Sequence, residues 1–309
     1  MATVKEIAEV DKKFIDVTDC SNVLEGYVKN GIPPGVSTGW PGFDDYFRFP
    51  PTGQLNVVSG VPGSGKSEFV DSIAVHCALL EKWNVFVYSP ESYPGDYYVQ
   101  KLAEKIAGKQ MFTSPRYFWN NHFAMTDQER EAAYSIIKSH FSIMGTGLDC
   151  ESVESIVMGI KAACMKSKVR MAIIDPWNMV ESAVPREMLQ SDWIGKLLDQ
   201  LRMFARRSSI HLWIVAHPPK MKRKPNGDYP EMSPWDISGS ANFWNKADNL
   251  FILHRSFQDK TGADNITQCR IWKIKDRRYG KCGDHNFEFQ PWCGRYIDAK
   301  NPSGEVSQG

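Results

Sequence analysis

The sequence contains no run of about 18 apolar residues, the length that a membrane-spanning helix needs. Its first residues carry acids and lack the apolar centre of a signal peptide, so we do not expect secretion. The formal net charge is only +1, so any nucleic-acid contact must come from a local basic patch and not from the whole surface. The composition therefore predicts a protein with no membrane contact.

Paired cysteines are also missing. The seven cysteines are odd in number and include no C-x-x-C pair, which predicts reduced thiols and disfavours a structural zinc. We find no internal repeat and no low-complexity block. With 309 residues, of which 42% are hydrophobic and 24% charged, the chain can form one large or two small globular domains.

The most strongly patterned stretch begins with an apolar run, QLNVVS, at 54–59. The pattern G-x-x-x-x-G-K-S follows from Gly60 to Ser67, and residues 68–82 then carry apolar side chains at helical spacing. Strand, glycine-rich loop and helix in this order are typical of a P-loop nucleotide site. The alternative, a chance glycine-rich turn, explains neither the strand before the loop nor the helix after it.

Each residue type of this loop has a chemical reason. Glycines permit positive φ and let backbone N–H groups turn toward phosphate, and the helix start adds its positive end. Lys66 would bring a charge to the β- and γ-phosphates of ATP or another NTP, and the Ser67 hydroxyl would bind Mg²⁺. The residues predicted to hold the nucleotide are Gly60, Pro62, Gly63, Ser64, Gly65, Lys66 and Ser67.

Alternating elements predict the fold class. Strands are expected at 84–89, 169–174 and 210–216, and helices at 94–107, 127–140, 151–167 and 186–207, with Thr126 as the cap of the second helix. This alternation predicts an α/β fold with a mainly parallel sheet covered by helices on both faces. Strands at 249–254, 266–275 and 285–290, joined by turns, predict an antiparallel edge at the C-terminal end.

The residues before the P-loop differ in character. A short amphipathic helix is expected at 20–29, ended by Asn30-Gly31, and it could pack on its own domain or on a neighbouring subunit. The aromatic residues between 40 and 49 are expected in the core or over the sheet edge. We predict an N-terminal arm and linker helix at 1–34 and a nucleotide-binding domain at 35–309.

Three polar residues follow predicted strands. Asp175 ends the run MAIID, which has the form of a Walker B strand that holds Mg²⁺ through water. Glu91 ends a strand that we expect beside the P-loop strand, where its carboxylate could serve as general base; a surface glutamate in a turn is the alternative. His217 ends IHLWIVA and would face the ligand crevice, although a lone histidine is more often structural.

A basic loop follows His217. It carries Lys220, Lys222, Arg223 and Lys224 between prolines and runs to about Gly239. Four cations within five residues suit contacts with a nucleic-acid backbone, and a merely solvated basic loop is the alternative.

The order of these motifs resembles the RecA-type motor domain of the DnaB-family replicative helicases, closest to the phage-type and Twinkle primase-helicases. The resemblance covers roughly Gly35 to Gln290 and rests on GVSTGWPGFDDYF, GVPGSGKS, VFVYSPES, MAIIDP, IVAHPPK, DISGSANFWNKADNLFILHR and KIKDRRYGKCG. It implies the roles of catalytic glutamate for Glu91, Walker B aspartate for Asp175 and γ-phosphate sensor for His217.

The resemblance also implies roles for residues further along the chain. Ser238, Gly239 and Ser240 match the distal end of a DNA-contacting loop, with Ser238 where the family often has Arg. Lys275 and Arg277 match a K-x-R pair whose arginine reaches the ATP of the next subunit, and Lys273 and Arg278 lie close enough to leave the frame open.

The resemblance implies an ATP-dependent, ring-forming DNA helicase, commonly of six subunits, that moves on single-stranded DNA with the linker helix docked on its neighbour. A RecA-like recombination ATPase, or an ATP-switched assembly protein without unwinding, is the alternative function. Residues 14–30 resemble the tail of a primase-type domain, so we expect a primase domain or protein as a partner. We expect a cytoplasmic location in a bacterium or phage-infected cell, with an organelle left open.

Overall fold

The computed structural model describes residues 15–92, 95–112, 124–145, 151–180, 184, 186–219, 221–225, 229–237, 240–255 and 265–298. The chain divides into two compact units, residues 1–35 and 36–309. The division into an arm at 1–34 and a domain at 35–309 stays a prediction. No helix within the described ranges is long and apolar enough to cross a membrane.

The first unit contains helix α1, Val17–Asn30. Its N-cap is Asp16, whose carboxylate accepts a hydrogen bond from the Thr18 backbone N–H at 2.7 Å. Gly31 follows the helix with φ of +78°, a conformation that glycine adopts without strain. The predicted helix is therefore confirmed. None of its residues is buried, so its apolar face is exposed to solvent within this unit.

The second unit alternates strands and helices, as predicted. The helices are α2 (Lys66–Leu80), α3 (Gly95–Ala107), α4 (Asp127–His140), α5 (Val153–Lys166), α6 (Gln190–Ser208) and α7 (Ser240–Lys246). The strands are β1 (Leu55–Gly60), β2 (Asn84–Tyr88), β3 (Phe141–Met144), β4 (Val169–Ile174), β5 (His211–Ala216), β6 (Asn249–Arg255), β7 (Ile266–Ile274), β8 (Gly283–Gln290) and β9 (Arg295–Asp298). Thr126 caps α4 in a reciprocal capping box with Glu129, as expected.

Among the described residues the strands form one sheet in the order β3-β2-β4-β5-β1-β6-β7-β8-β9. The pairs from β3 through β6 are parallel, and the pairs from β6 through β9 are antiparallel. The predicted α/β fold with an antiparallel C-terminal edge is therefore confirmed. The sheet also contains β3 and β9, and α7 follows the basic loop; these three elements were not predicted.

One expectation about strand order was wrong. We expected the strand that leads to Glu91 beside the P-loop strand, but β2 pairs with β3 and β4, and the P-loop strand β1 pairs with β5 and β6. The strands that lead to Asp175 and His217, β4 and β5, lie between them. Buried parallel strands carry similar apolar residues, so their sequences do not say which of them are neighbours.

Each face of the sheet has its own apolar core, because successive side chains of a strand point to opposite faces. In β2, Val85 and Val87 join one cluster, and Phe86 and Tyr88 join the other. Helices α2, α3 and α4 cover the first cluster, and α5 and α6 cover the second. This two-sided burial holds the strand ends rigidly in register.

The aromatic segment before the P-loop is part of the first core. Trp40, Phe43, Phe47 and Phe49 are at most 2% exposed, as predicted, while Tyr46 packs on the edge of the cluster. The Trp40 ring stacks on Phe69 of α2 at 5.4 Å, and its indole N–H donates to the Tyr296 carbonyl at 3.0 Å. Residues 36–49 therefore tie the P-loop helix to the C-terminal strands.

The buried His76 generates a pH-dependent contribution to stability. Its Nδ1 lies 3.0 Å from the Thr38 carbonyl, and burial lowers its pKa from 6.5 to about 4. Below about pH 6.5 the unfolded chain therefore binds a proton that the folded chain excludes, and stability falls by about 1.4 kcal/mol per pH unit down to about pH 4.

We predict that His76→Asn loses less stability than the wild type on acidification. Urea unfolding at pH 7 and at pH 5 should show a smaller difference in the free energy of unfolding, by about 2 kcal/mol, in the variant. Comparing each protein with itself at two pH values separates this effect from any cavity that the substitution leaves. Equal differences in the two proteins would contradict a neutral, buried His76.

Candidate active site

Four neighbouring parallel strands carry the candidate catalytic residues. The strands β2, β4, β5 and β1 end at the same edge of the sheet, because parallel strands share a direction. They are followed by Glu91, Asp175, His217 and the P-loop respectively. Ligand atoms of Glu91, Asp175 and His217 all lie within 4.8 Å of one another. The strand ends thus bring together residues that are up to 126 positions apart in the chain.

The P-loop has the backbone that its glycines predict. Gly63 and Gly65 have φ of +77° and +85°, a region that other residues enter only with strain. Gly65 is also the N-cap of α2, and a Cβ at this position would collide with the Tyr296 hydroxyl. That hydroxyl donates to the Gly65 carbonyl at 3.3 Å. Strand β9 therefore supports the loop from behind.

The Lys66 ammonium is held inside the loop. Its Nζ donates to the Gly60 carbonyl at 2.9 Å and to the Val61 carbonyl at 3.1 Å. Burial lowers the pKa of Lys66 to about 8, although Asp175 and Glu91 act in the opposite direction. The group therefore remains mostly protonated at neutral pH, as a cation for phosphate must be.

Asp175 and Ser67 fit a magnesium site. The Asp175 carboxylate is buried, accepts a hydrogen bond from the Ser67 hydroxyl, and keeps one oxygen, Oδ1, without a hydrogen-bond partner in the described part of the chain. Burial raises the pKa of Asp175 to about 7. A buried carboxylate oxygen without a partner is costly unless a cation or water completes it, and oxygen ligands are those that Mg²⁺ prefers.

Glu91 and His217 differ in environment. Glu91 is exposed at the mouth of the site, in the short 3-10 helix Pro90–Ser92 that follows β2. His217 is half-buried, and burial together with Lys66 lowers its pKa to about 4. The imidazole is therefore neutral at physiological pH, and its N–H can donate one hydrogen bond without adding charge.

Buried ion pairs fix α2 against α3, the helix that follows Glu91. Lys101 lies 3.0 Å from Glu68 and 3.3 Å from Asp71, and the buried Lys105 ammonium pairs with Glu68. Burial alone would raise the pKa of Glu68, but Lys105 and Lys101 lower it to about 2. These pairs hold the first two turns of α2 and the second half of α3 in a defined relation.

The predicted K-x-R pair lies at the other edge of the sheet. The Lys275 backbone N–H donates to the Asp248 carbonyl at 3.0 Å, and the Asp248 N–H donates to the Leu55 carbonyl at 2.8 Å. Lys275 therefore lies beside the start of β1, whereas the P-loop follows its end, roughly 20 Å away for six residues at about 3.3 Å each. Lys275 and Arg277 are exposed and do not join the P-loop of their own chain.

The predicted DNA loop is described only in part. Lys222, Arg223 and Lys224 are exposed, and the Arg223 guanidinium lies 4.5 Å from the centroid of the Tyr229 ring. Ser240 begins α7. Lys220, Ser238 and Gly239 lie outside the described residues.

Sequence reasoning did not single out three residues beside the P-loop. The Arg255 guanidinium, at the end of β6, lies 5.5 Å from the centroid of the Phe289 ring, and Phe289 lies 5.2 Å from Tyr296, which contacts Gly65. A flat cation over a ring next to a phosphate loop suits the face of a nucleobase. Leu253 pairs with Gly60 in the sheet, and Arg255 lies two residues further along β6. The position of Arg255 beside the P-loop therefore follows from the strand register, which the sequence alone does not give.

Comparisons with known proteins agree with this geometry. The family model described as "DnaB-like helicase C terminal domain" matches residues 35–298. The Twinkle homolog protein, chloroplastic/mitochondrial, of Arabidopsis thaliana is 29% identical over 271 residues, which are 87% of this chain and 37% of that protein. This chain thus spans little more than a third of the length of that relative.

Two solved structures share the fold. One is an ATPase domain, which superposes with a TM-score of 0.74 at 17% identity, over 92% of this chain and 98% of that chain. A DnaB-like replicative helicase, described together with its interactions with primase, also gives a TM-score of 0.74 at 17% identity, over 95% of this chain and 70% of that chain.

The contact between Gly65 and Tyr296 gives a prediction about the loop. We expect Gly65→Ala to destabilise the protein by about 1–3 kcal/mol, because alanine is strained at a positive φ and its Cβ meets the Tyr296 hydroxyl. The double variant Gly65→Ala/Tyr296→Phe should recover part of that loss, since it removes the collision and leaves the strain. Urea unfolding of the two single variants and the double variant measures both parts. Additive losses in the double variant would contradict the collision.

Proposed function

Because the chain belongs to the family of DnaB-like helicase C-terminal domains, we propose that it is the NTP-driven motor of a DNA helicase. The predicted resemblance to this family is confirmed. In this proposal the motor hydrolyses ATP or another NTP, moves on single-stranded DNA and separates duplex during replication. The family match favours this function over a recombination ATPase or an ATP-switched assembly protein.

One observation carries the proposal: residues predicted for a single active site lie at opposite edges of the sheet in this chain. The P-loop, Glu91, Asp175 and His217 lie at one edge of the sheet, and Lys275 and Arg277 lie at the other. An arginine side chain is far too short to cross the length of β1. In this proposal Arg277 therefore acts in the site of a second copy, so that hydrolysis depends on assembly.

The residues of this chain then have separate tasks. The backbone of residues 60–67 binds phosphate oxygens, and Lys66 neutralises part of their charge. Glu91, at the open side of the site, accepts a proton from the attacking water. The neutral His217 donates a hydrogen bond to phosphate and loses it when the phosphate leaves, which can report hydrolysis to the basic loop that follows it.

Ser67 and Asp175 are the residues that would hold Mg²⁺, as the unpartnered carboxylate oxygen suggests. When bound, the ion would neutralise part of the charge on the phosphates. Arg255 and Phe289 would contact the base of the nucleotide.

Arg277 fits the role of the cation that acts in the neighbouring site better than the cations around it. Arg278 is held by Asp276 at 2.7 Å, and Lys273 donates to the Trp244 carbonyl at 2.5 Å. Lys275 lies 3.5 Å from the buried Asp248. Arg277 is exposed and has no ion-pair partner among the described residues, so its guanidinium is available to a second subunit.

The assembly that we propose is a homo-oligomeric ring, commonly a hexamer, around single-stranded DNA. The basic residues 220–224 and the segment 238–240 would contact the DNA backbone. The apolar face of α1, with no buried residue in its own unit, would dock on the adjacent subunit. A primase domain or protein is the proposed partner. The proposed location is the cytoplasm of a bacterium or of a phage-infected cell, or an organelle, as the name of the plant relative suggests.

Three variants test the shared site. We expect single-stranded DNA to stimulate the ATPase activity of the wild type, and we expect Glu91→Gln and Arg277→Ala to lower that activity by about 10³-fold or more. Arg278→Ala is the matched control, because Arg278 is already paired with Asp276, and it should keep most of the activity. Steady-state ATPase assays check these outcomes, and the mass of the assembly is measured in parallel to show that each variant still forms rings.

Two outcomes would count against the proposal. Full activity of Arg277→Ala would contradict the assignment of Arg277 as the cation that acts between subunits. A wild type that forms rings, binds nucleotide and ignores DNA would favour the switch function instead.

A further inference from the structure

Two tryptophans lie beside the predicted DNA loop and have no part in the nucleotide site. Trp235 is in the short 3-10 helix Pro234–Asp236 and is 61% exposed, which is unusual for so large an apolar side chain. Its ring lies 5.6 Å from the ring of Trp244 in α7, at an interplanar angle of 39°. Trp244 therefore supports Trp235 from one side, and the rest of the Trp235 ring meets solvent.

The backbone holds this exposed ring in place. Pro234, the first residue of the helix, and Ile237, which follows it, are buried, and the Asp236 carboxylate accepts hydrogen bonds from the Ser233 N–H and hydroxyl at 2.8 Å each. The side chain is thus presented by a rigid, capped turn. A side chain on a rigid turn loses little further conformational entropy when it binds a flat ligand.

The charges around the tryptophans suit a polyanion. The Lys273 ammonium lies 5.6 Å from the centroid of the Trp244 ring, and Lys222, Arg223 and Lys224 are exposed on the preceding loop. The two nearest acids in the sequence are engaged within the protein: Asp236 caps its own turn, and Glu231 pairs with Arg270 at 3.2 Å. The four cations Lys222, Arg223, Lys224 and Lys273 thus outnumber these two acids.

We propose that Trp235, supported by Trp244, is a stacking platform for a base of single-stranded DNA. This inference rests on the proposed function, and it adds contact with bases to the backbone contacts of the basic loop. Aromatic rings interleaved with cations are the usual arrangement by which proteins bind single strands without reading their sequence. Stacking on every base type would let the contact be made and released at each step along the strand.

The test uses the full chain and oligo-dT, either intact or with a run of abasic sites, in fluorescence anisotropy titrations. We expect Trp235→Ala to weaken binding of intact oligo-dT by about 5- to 100-fold, and Trp235→Phe to weaken it far less. The wild type should bind the abasic strand more weakly than the intact strand, and Trp235→Ala should lose this difference. A protein that had simply lost its fold would lose affinity for both strands.

Two control variants separate stacking from charge. Lys222→Ala should lower the slope of affinity against salt by about one and keep the preference for intact DNA, whereas Trp235→Ala should keep the slope. Tyr97→Ala removes another exposed aromatic ring, 53% exposed on α3, and should change neither quantity.

The remaining outcomes each contradict the inference in a different way. If the wild type binds DNA and Trp235→Ala keeps both the affinity and the preference for intact DNA, stacking at Trp235 is wrong and the helicase function stands. If Trp235→Ala lowers the mass of the assembly and leaves the DNA affinity of the assembled protein unchanged, the Trp235 side chain belongs to an interface between subunits. If the wild type binds no single-stranded DNA at low salt, the proposed function and this inference fail together.

Discussion

Parallel hydrogen bonding among β2, β4, β5 and β1 is the constraint on which the rest of the molecule depends. It brings four chain segments to one edge of the sheet, where Lys66, Glu91, Asp175 and His217 share one small volume. The two apolar cores hold the strands from both faces, and the buried pairs between α2 and α3 fix the elements just outside the sheet.

The reversal of chain direction after β6 moves residues away from that edge instead. Because β7 runs antiparallel to β6, it ends at the start of β1 and takes Lys275 and Arg277 away from the P-loop. Asp248 ties this edge together, since its carboxylate accepts from Leu55 N at 3.1 Å and pairs with Arg202, Arg206 and Lys275. A change from parallel to antiparallel pairing thus separates residues to which the proposed function gives one active site, and in that proposal a second subunit brings them together.

The sequence predicted most of the elements and most of the site for local reasons. The P-loop is a contiguous motif in its strand-to-helix context, and Thr126 with Glu129 is a local capping signal. Glu91 lies with Asp175 and His217 although its strand was assigned the wrong neighbour, because every parallel strand ends at the same edge. Strand β3 was missed because Phe141 follows α4 without a loop, and β9 has only four residues. Contacts such as Tyr296 with Gly65 join residues 231 positions apart, and no local pattern carries them.

The most direct test of a site shared between subunits is an ATPase assay on mixed rings of two inactive variants. Lys66→Ala keeps Arg277 and loses its own phosphate site, whereas Arg277→Ala keeps the phosphate site and loses the cation for its neighbour. In rings that contain both, some interfaces join an intact P-loop to an intact Arg277, so activity stimulated by single-stranded DNA should return on mixing. Mixed rings that form, as shown by co-purification of differently tagged subunits, and yet remain inactive would contradict the shared site.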